Sequence, residues 1–159
     1  MNFKRVGRLL MFILFASMTL QADARGGASD GALQVEAAAQ TAQGTVALEI
    51  LTPTEGIDFR SYLPNVYRTT KKRWFANMPA SVAKGQKGIN VVEFRILQDG
   101  TVPKEFMKMR SVSGKADLDE ASLAAIRGAE PFGKLPADFT APYIELRLTF
   151  YYNLEPTQR

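Results

Sequence analysis

The stretch Tyr143-Ile144-Glu145-Leu146-Arg147-Leu148-Thr149-Phe150-Tyr151-Tyr152 alternates without a break. Successive side chains of a strand point to opposite faces. Ile144, Leu146, Leu148, Phe150 and Tyr152 therefore share one side, and Tyr143, Glu145, Arg147, Thr149 and Tyr151 the other. This is the pattern of a sheet packed on one face and wet on the other. A second alternation lies upstream, where Val92, Phe94 and Ile96 interleave with Glu93 and Arg95 and run into Asp99-Gly100. Asp-Gly is a strong hairpin signal, because Gly takes the positive φ that tight turns demand. The spacing predicts a returning strand from Thr101 to about Arg110, with Val102, Phe106, Met107 and Met109 as its apolar residues. A two-residue turn and a turn with a Gly bulge put opposite faces of that strand inward, and the residues alone leave both open. Pro103 points to an edge or a bulge.

Helices lie on either side of the hairpin. Leu63, Tyr67, Thr70 and Trp74 follow one another at spacings of four, three and four, so they share one helix face, widened by Val66. Ser61 is the expected cap, Pro64 falls in the first turn where its missing N–H costs nothing, and Asn77 and Pro79 end the helix. A second helix is expected from near Asp117, with Glu120 as an acidic capping-box partner. Its inward stripe is Leu118, Ala121, Ser122, Ala125, Ile126 and Ala129, and Gly128 and Pro131 close it. Val46, Leu48 and Ile50 alternate with Ala47 and Glu49, which suggests a further short strand before Pro53. These elements make an α+β fold, two helices packed on one face of a three-stranded antiparallel sheet, to which the N-terminal strand can be added.

The chain has 159 residues, 46% apolar and 23% charged, enough for one domain with a real core. It contains no Cys and no His, which removes disulfides, thiolate chemistry, the commonest general base and the commonest metal ligand. The first 24 residues read as an export signal. Lys4, Arg5 and Arg8 precede an apolar run from Leu9 to Leu20, and Ala22-Asp23-Ala24 supplies a cleavage pattern. The alternative is an uncleaved anchor in the inner membrane. Residues 25–45 are rich in Ala, Gly and Gln and read as a flexible linker, followed by a folded module over 46–153 and a loose tail over 154–159. After residue 24 there are 17 basic and 15 acidic residues, so the high overall isoelectric point gives no case for nucleic acid. The distribution is uneven, because Phe59 to Lys87 holds seven basic residues and no acidic one.

Four segments in order resemble the TonB/TolA C-terminal domain family. Gly88, Val92, Phe94, Ile96, Asp99-Gly100 and Val102 resemble its hairpin. Ser113-Gly114, Leu118-Asp119-x-Ala121 and Pro131-Phe132-x-x-Leu135-Pro136 resemble its second helix and exit loop, and Leu146-x-Leu148-x-Phe150-x-Tyr152-Asn153 resembles its closing strand. The resemblance covers roughly Asp58 to Asn153. It implies a periplasmic protein-interaction module, not an enzyme, with no catalytic residues, no cofactor and no metal. The implied partner is an outer-membrane receptor or a periplasmic peptide segment, pairing with the edge of the sheet. On this reading the closing strand is the edge, and Tyr143, Glu145, Arg147, Thr149 and Tyr151 are the expected partner-binding residues; the alternatives are that they only cover the wet face of the sheet, or that the Val46 to Leu51 strand already occupies the edge. The sequence departs from the energy transducers of the family in its cleavable-looking N-terminus and in a linker without Pro. The anchored alternative makes the chain a short energy transducer, associated with the membrane through its N-terminus.

Other signals have plainer explanations. Ser81-Val82-Ala83-Lys84 has the Ser-x-x-Lys spacing of penicillin-binding enzymes, which leaves a small Ser/Lys hydrolase as the alternative of another class. The companion motifs of those enzymes are missing. Asp117, Asp119 and Glu120 complement a helix N-terminus rather than form an acid/base pair. Trp74 of the Lys71-Lys72-Arg73-Trp74 run lies on the apolar stripe, which makes it core rather than a platform for bases. The basic residues beside it suit an acidic partner or anionic headgroups.

Overall fold

The structure, a computed structural model, describes residues 44–156. The expected signal and most of the expected linker, and the end of the tail, lie outside the described residues. The chain runs through β1 (Gly44–Ile50), α1 (Leu63–Ala76), a single helical turn α2 (Ala80–Ala83), β2 (Gly88–Leu97), β3 (Lys108–Ser111), α3 (Ala116–Ala129) and β4 (Tyr143–Tyr152). The four strands form one antiparallel sheet in the order β1-β4-β2-β3. The α+β expectation holds, and the optional N-terminal strand is present.

The alternation of β4 becomes structure directly. Ile144, Leu146, Leu148, Phe150 and Tyr152 are fully buried, and the residues between them are half-buried. Val92, Phe94 and Ile96 of β2 and Val46, Leu48 and Ile50 of β1 lie on the same inner face. Over this face sit the α1 stripe of Leu63, Val66, Tyr67, Thr70 and Trp74, and the α3 stripe of Leu118, Ala121, Ser122, Ala125, Ile126 and Ala129. Small residues on α3 let that helix lie close. It is pinned by a buried polar knot in which the Tyr152 hydroxyl donates to Leu118 O at 2.7 Å, accepts from Trp74 Nε1 at 2.7 Å and meets Ser122 Oγ at 2.7 Å. Burial pushes the Tyr152 phenol up, so it stays a neutral donor. Asn90 completes the knot, donating to Leu118 O and to Asp119 Oδ1 and accepting from Ser122.

Three local expectations are corrected. Ser61 does not cap α1. The chain before it turns around Asp58, whose carboxylate accepts the Arg60 N–H at 2.8 Å, and Leu63 N–H reaches Phe59 O. Glu120 makes no capping bond; it reaches Arg127 at 3.4 Å, while Asp119 holds the Ser113 N–H and Asn90. The returning strand of the hairpin is short. Leu97 N–H donates to Thr101 O and Gly100 N–H to Leu97 O, with Gly100 at φ +89°, which is the three-residue turn with a Gly bulge. Pro103 then starts a 3₁₀ turn over Lys104–Phe106, and only Lys108–Ser111 pairs with β2.

Candidate functional site

The largest correction concerns β4. It is not an edge, because β2 pairs along one side from Gly88↔Tyr152 to Leu97↔Tyr143, and β1 along the other from Gly44↔Tyr152 to Ile50↔Leu146. The Leu51 N–H donates to Glu145 O at 2.8 Å. Partners in an antiparallel ladder alternate between hydrogen-bonded and non-bonded pairs. In this register Thr45, Ala47 and Glu49 therefore exchange bonds with Tyr151, Thr149 and Arg147, and the Thr149 N–H is spoken for by β1. Displacing β1 would also return Val46, Leu48 and Ile50 to water, at roughly 1.5–3 kcal/mol each.

Among the described residues the margins of the sheet are β1 and β3, and they differ. β3 has four residues, a register break opposite Val91/Val92, and Lys108 and Arg110 on it. Short length, a bulge and basic side chains are the devices that keep an edge from pairing. β1 has seven residues, no Pro, no Lys and one charge, Glu49. By the same alternation its Val46, Leu48 and Ile50 N–H and C=O groups point away from β4. Among the described residues no strand pairs on that side.

The helix-free face gathers the five expected partner-binding residues around a charged row that crosses the sheet. Arg147 on β4 donates to Glu93 Oε1 at 2.7 Å on β2 and to Glu49 Oε2 at 2.8 Å on β1, and Arg110 on β3 bonds Glu93 Oε2. A parallel row pairs Arg95 with Glu145 at 3.5 Å, and the Arg95 guanidinium stacks 4.5 Å from the Tyr143 ring and 5.2 Å from Phe106. Val91, Glu93, Arg110, Ser111 and Arg147 line a shallow depression of about 530 Å³. The Glu93 side chain is only 7% exposed. Burial raises its pKa, but the hydrogen bonds from Arg110 and Arg147 outweigh burial and hold the carboxylate below its ordinary range.

That shift sets a pH dependence. The folded value is below the unfolded one, so the stabilisation is complete above about pH 4.3, the ordinary glutamate value, and is lost as pH falls through the folded value. Urea midpoints measured from neutral pH downward are expected to fall more steeply in wild type than in Glu93→Gln through this window. Equal acid slopes would show that the row adds no net stability.

The hydrolase alternative finds no support. Ser81 Oγ donates to Asp117 Oδ2 at 2.5 Å, and Gln86 Nε2 donates to the same carboxylate at 3.1 Å, so Ser81 clips α2 to α3. Asp117 is held below its ordinary range by the Ser81 hydroxyl, and Lys84 lies exposed nearby. Among the described residues no group of His, Cys, Asp and Glu could hold a metal ion, and no helix is long and apolar enough to cross a membrane. The sequence left open whether the N-terminal strand covers β4, and the structure shows that it does; the Glu93 hub escaped the sequence reading. The only signal for the hub was a carboxylate and an arginine on the outward sides of two strands whose pairing had still to be known.

Comparison with curated proteins and with solved structures finds no match. The sequence model of the family described as TonB C terminal matches residues 59–150. The match spans α1, the hairpin, α3 and nearly all of β4, and leaves β1 outside it. Domains of this kind are protein-interaction modules that act in the periplasmic space, and the family is non-enzymatic. By that match, over more than half of its length and in the fold just described, the chain belongs to the TonB C-terminal domain family.

Proposed function

We propose that this module binds an extended segment of a protein partner by strand addition along the outer side of β1. The partner is a periplasm-facing segment of an outer-membrane receptor, and the binding is linked to transport across that membrane. The observation that carries the reading is the contrast between the two margins, one blunted by length, bulge and charge, the other a strand whose Val46, Leu48 and Ile50 meet no further strand among the described residues. Added strands gain affinity from main-chain bonds and specificity from alternate side chains. Ladder partners lie about 4.8 Å apart, so a strand beside β1 lies two steps from β4. Tyr143, Glu145, Arg147, Thr149 and Tyr151 then form the flanking wet face, with Arg147 reaching toward the partner through Glu49.

The match beginning at residue 59 favours a second reading, in which β1 is the chain's own added strand and a partner displaces it. A staple separates the two. Ala47 and Thr149 are Cα partners, and a bonded antiparallel pair sits about 5.5 Å apart, within disulfide range. The chain has no native Cys to interfere. Ala47→Cys/Thr149→Cys, screened against an array of receptor N-terminal peptides, is expected to bind its peptide equally when oxidised and reduced. Binding only after reduction would support displacement, and an array with no binder at all would remove both readings.

A second pair of variants tests the backbone. Leu48→Ala and Leu48→Pro both empty the same core site, but only proline removes the outward N–H, and proline is tolerated on edge strands with that N–H outward. Both are expected to lose about 2–5 kcal/mol of stability, the usual cost of Leu→Ala in a core. Peptide affinity is expected to drop roughly tenfold further in the proline variant, the worth of one main-chain hydrogen bond.

A further inference from the structure

The outer surface of α1 carries cations that have no carboxylate partner among the described residues, although Arg68 Nε donates to Pro64 O at 3.2 Å. Arg68 and Lys72 stand four residues apart at the centre of the exposed face, and Arg73 flanks them with its stem running close to Gly128. Lys84 at the end of α2 and Lys87 just after it are two further exposed cations in the same basic stretch of the chain. All five are exposed, and none forms an ion pair with a carboxylate among the described residues. The arginines elsewhere in the described residues, at 60, 95, 110, 127 and 147, all do. The nearby Asp117 carboxylate is already engaged by Ser81 and Gln86. Phe75, half-buried, sits on the same side of the helix, with the Lys71 ammonium 5.8 Å from its ring.

We propose that this face of α1 and the α2 corner rest on a bilayer surface of anionic phospholipid headgroups. Three features favour lipid over an acidic protein. The cations are spread over two elements rather than gathered around a pocket. Arg68 and Lys72 stand on the convex outside of a helix, where an acidic peptide finds no groove, whereas mobile headgroups can follow the charge wherever it lies. An aromatic ring among them is suited to the headgroup boundary. The depression lies on the helix-free face of the sheet, opposite α1.

The test uses the full chain and vesicles of phosphatidylcholine alone or with phosphatidylglycerol. Any contribution from residues outside the described part is then common to all variants. Wild type is expected to sediment more strongly with the anionic vesicles and to lose that excess as salt rises. Each basic residue near such a surface is worth about fivefold in partitioning, so Arg68→Gln/Lys72→Gln/Arg73→Gln is expected to lose on the order of a hundredfold. Arg68→Lys/Arg73→Lys keeps the charge and should keep binding. Lys104→Gln/Lys108→Gln/Lys134→Gln makes the same change in net charge away from the face and should lose far less. Equal loss in the two Gln triples would overturn the proposal, as would no preference of wild type for anionic vesicles. Binding to soluble poly-glutamate without binding to anionic vesicles would assign the face to an acidic protein instead.

Discussion

Trp74→Ala is expected to remove about 3–5 kcal/mol of stability, the cost of emptying a fully buried large aromatic site. Trp74 is wholly inaccessible and stands at the junction of the first helix and the sheet. Its ring lies 4.9 Å from Tyr152, 5.4 Å from Phe150 and 5.2 Å from Phe75. Beneath it the backbone is so close that a Cβ added at Gly44 would come within 2.6 Å of the indole. The substitution leaves a large void and strips the Tyr152 hydroxyl of its indole donor, loosening the knot that holds α3. Small domains have only about 5–15 kcal/mol in total, so the variant is expected to unfold at much lower urea, or to populate the unfolded state without it. Trp74→Phe keeps most of the packing and loses the N–H, and should fall between. A loss under about 1 kcal/mol in Trp74→Ala would contradict the assigned packing, since core truncations of this size cost several times more.

Gly100→Ala is expected to cost roughly 2–4 kcal/mol, combining the strain of a left-handed residue with a backbone collision. Gly100 has φ +89°, and a Cβ there would run into the Gly133 carbonyl, 2.6 Å from its carbon and 2.7 Å from the Gly133 nitrogen. The neighbouring main chain cannot swing away as a flexible side chain would. The Gly100 carbonyl accepts the Phe132 N–H at 2.9 Å, and Leu135 N–H reaches Gln98 O at 3.1 Å, so the hairpin turn and the exit loop are laced together. Gly85→Ala is the control. Gly85 also has positive φ, at +87°, but nothing lies within 4 Å of an added Cβ, so only the conformational cost of about 1–2 kcal/mol applies. Similar denaturation midpoints for the two variants would show that contact with Gly133 does not matter.

What could be read before any coordinates were known follows a clear physical line. The period-two pattern of Tyr143–Tyr152, the Asp-Gly turn and the two helix faces are local, and each survived intact because local geometry and burial agree. The neighbour of β4 was not local. Val46, Leu48 and Ile50 announce a strand with one greasy face, but that face can be buried at either margin of the sheet. Only packing against Trp74 and the exposed side of β4 selects one. The interruption at Pro103 was half visible, since proline marks a break without saying that a 3₁₀ turn will fill it. The Glu93 hub was invisible for a different reason. A glutamate on the wet side of a strand looks solvated until register sets arginines from two neighbouring strands against it.

The unequal margins also govern stoichiometry. An open-ended fibre requires each subunit to offer two complementary docking ends, one to receive and one to be received. If a partner adds along β1 as proposed, Lys108 and Arg110 at the far end oppose a second addition, and growth stops after one. On that reading each copy engages a single peptide.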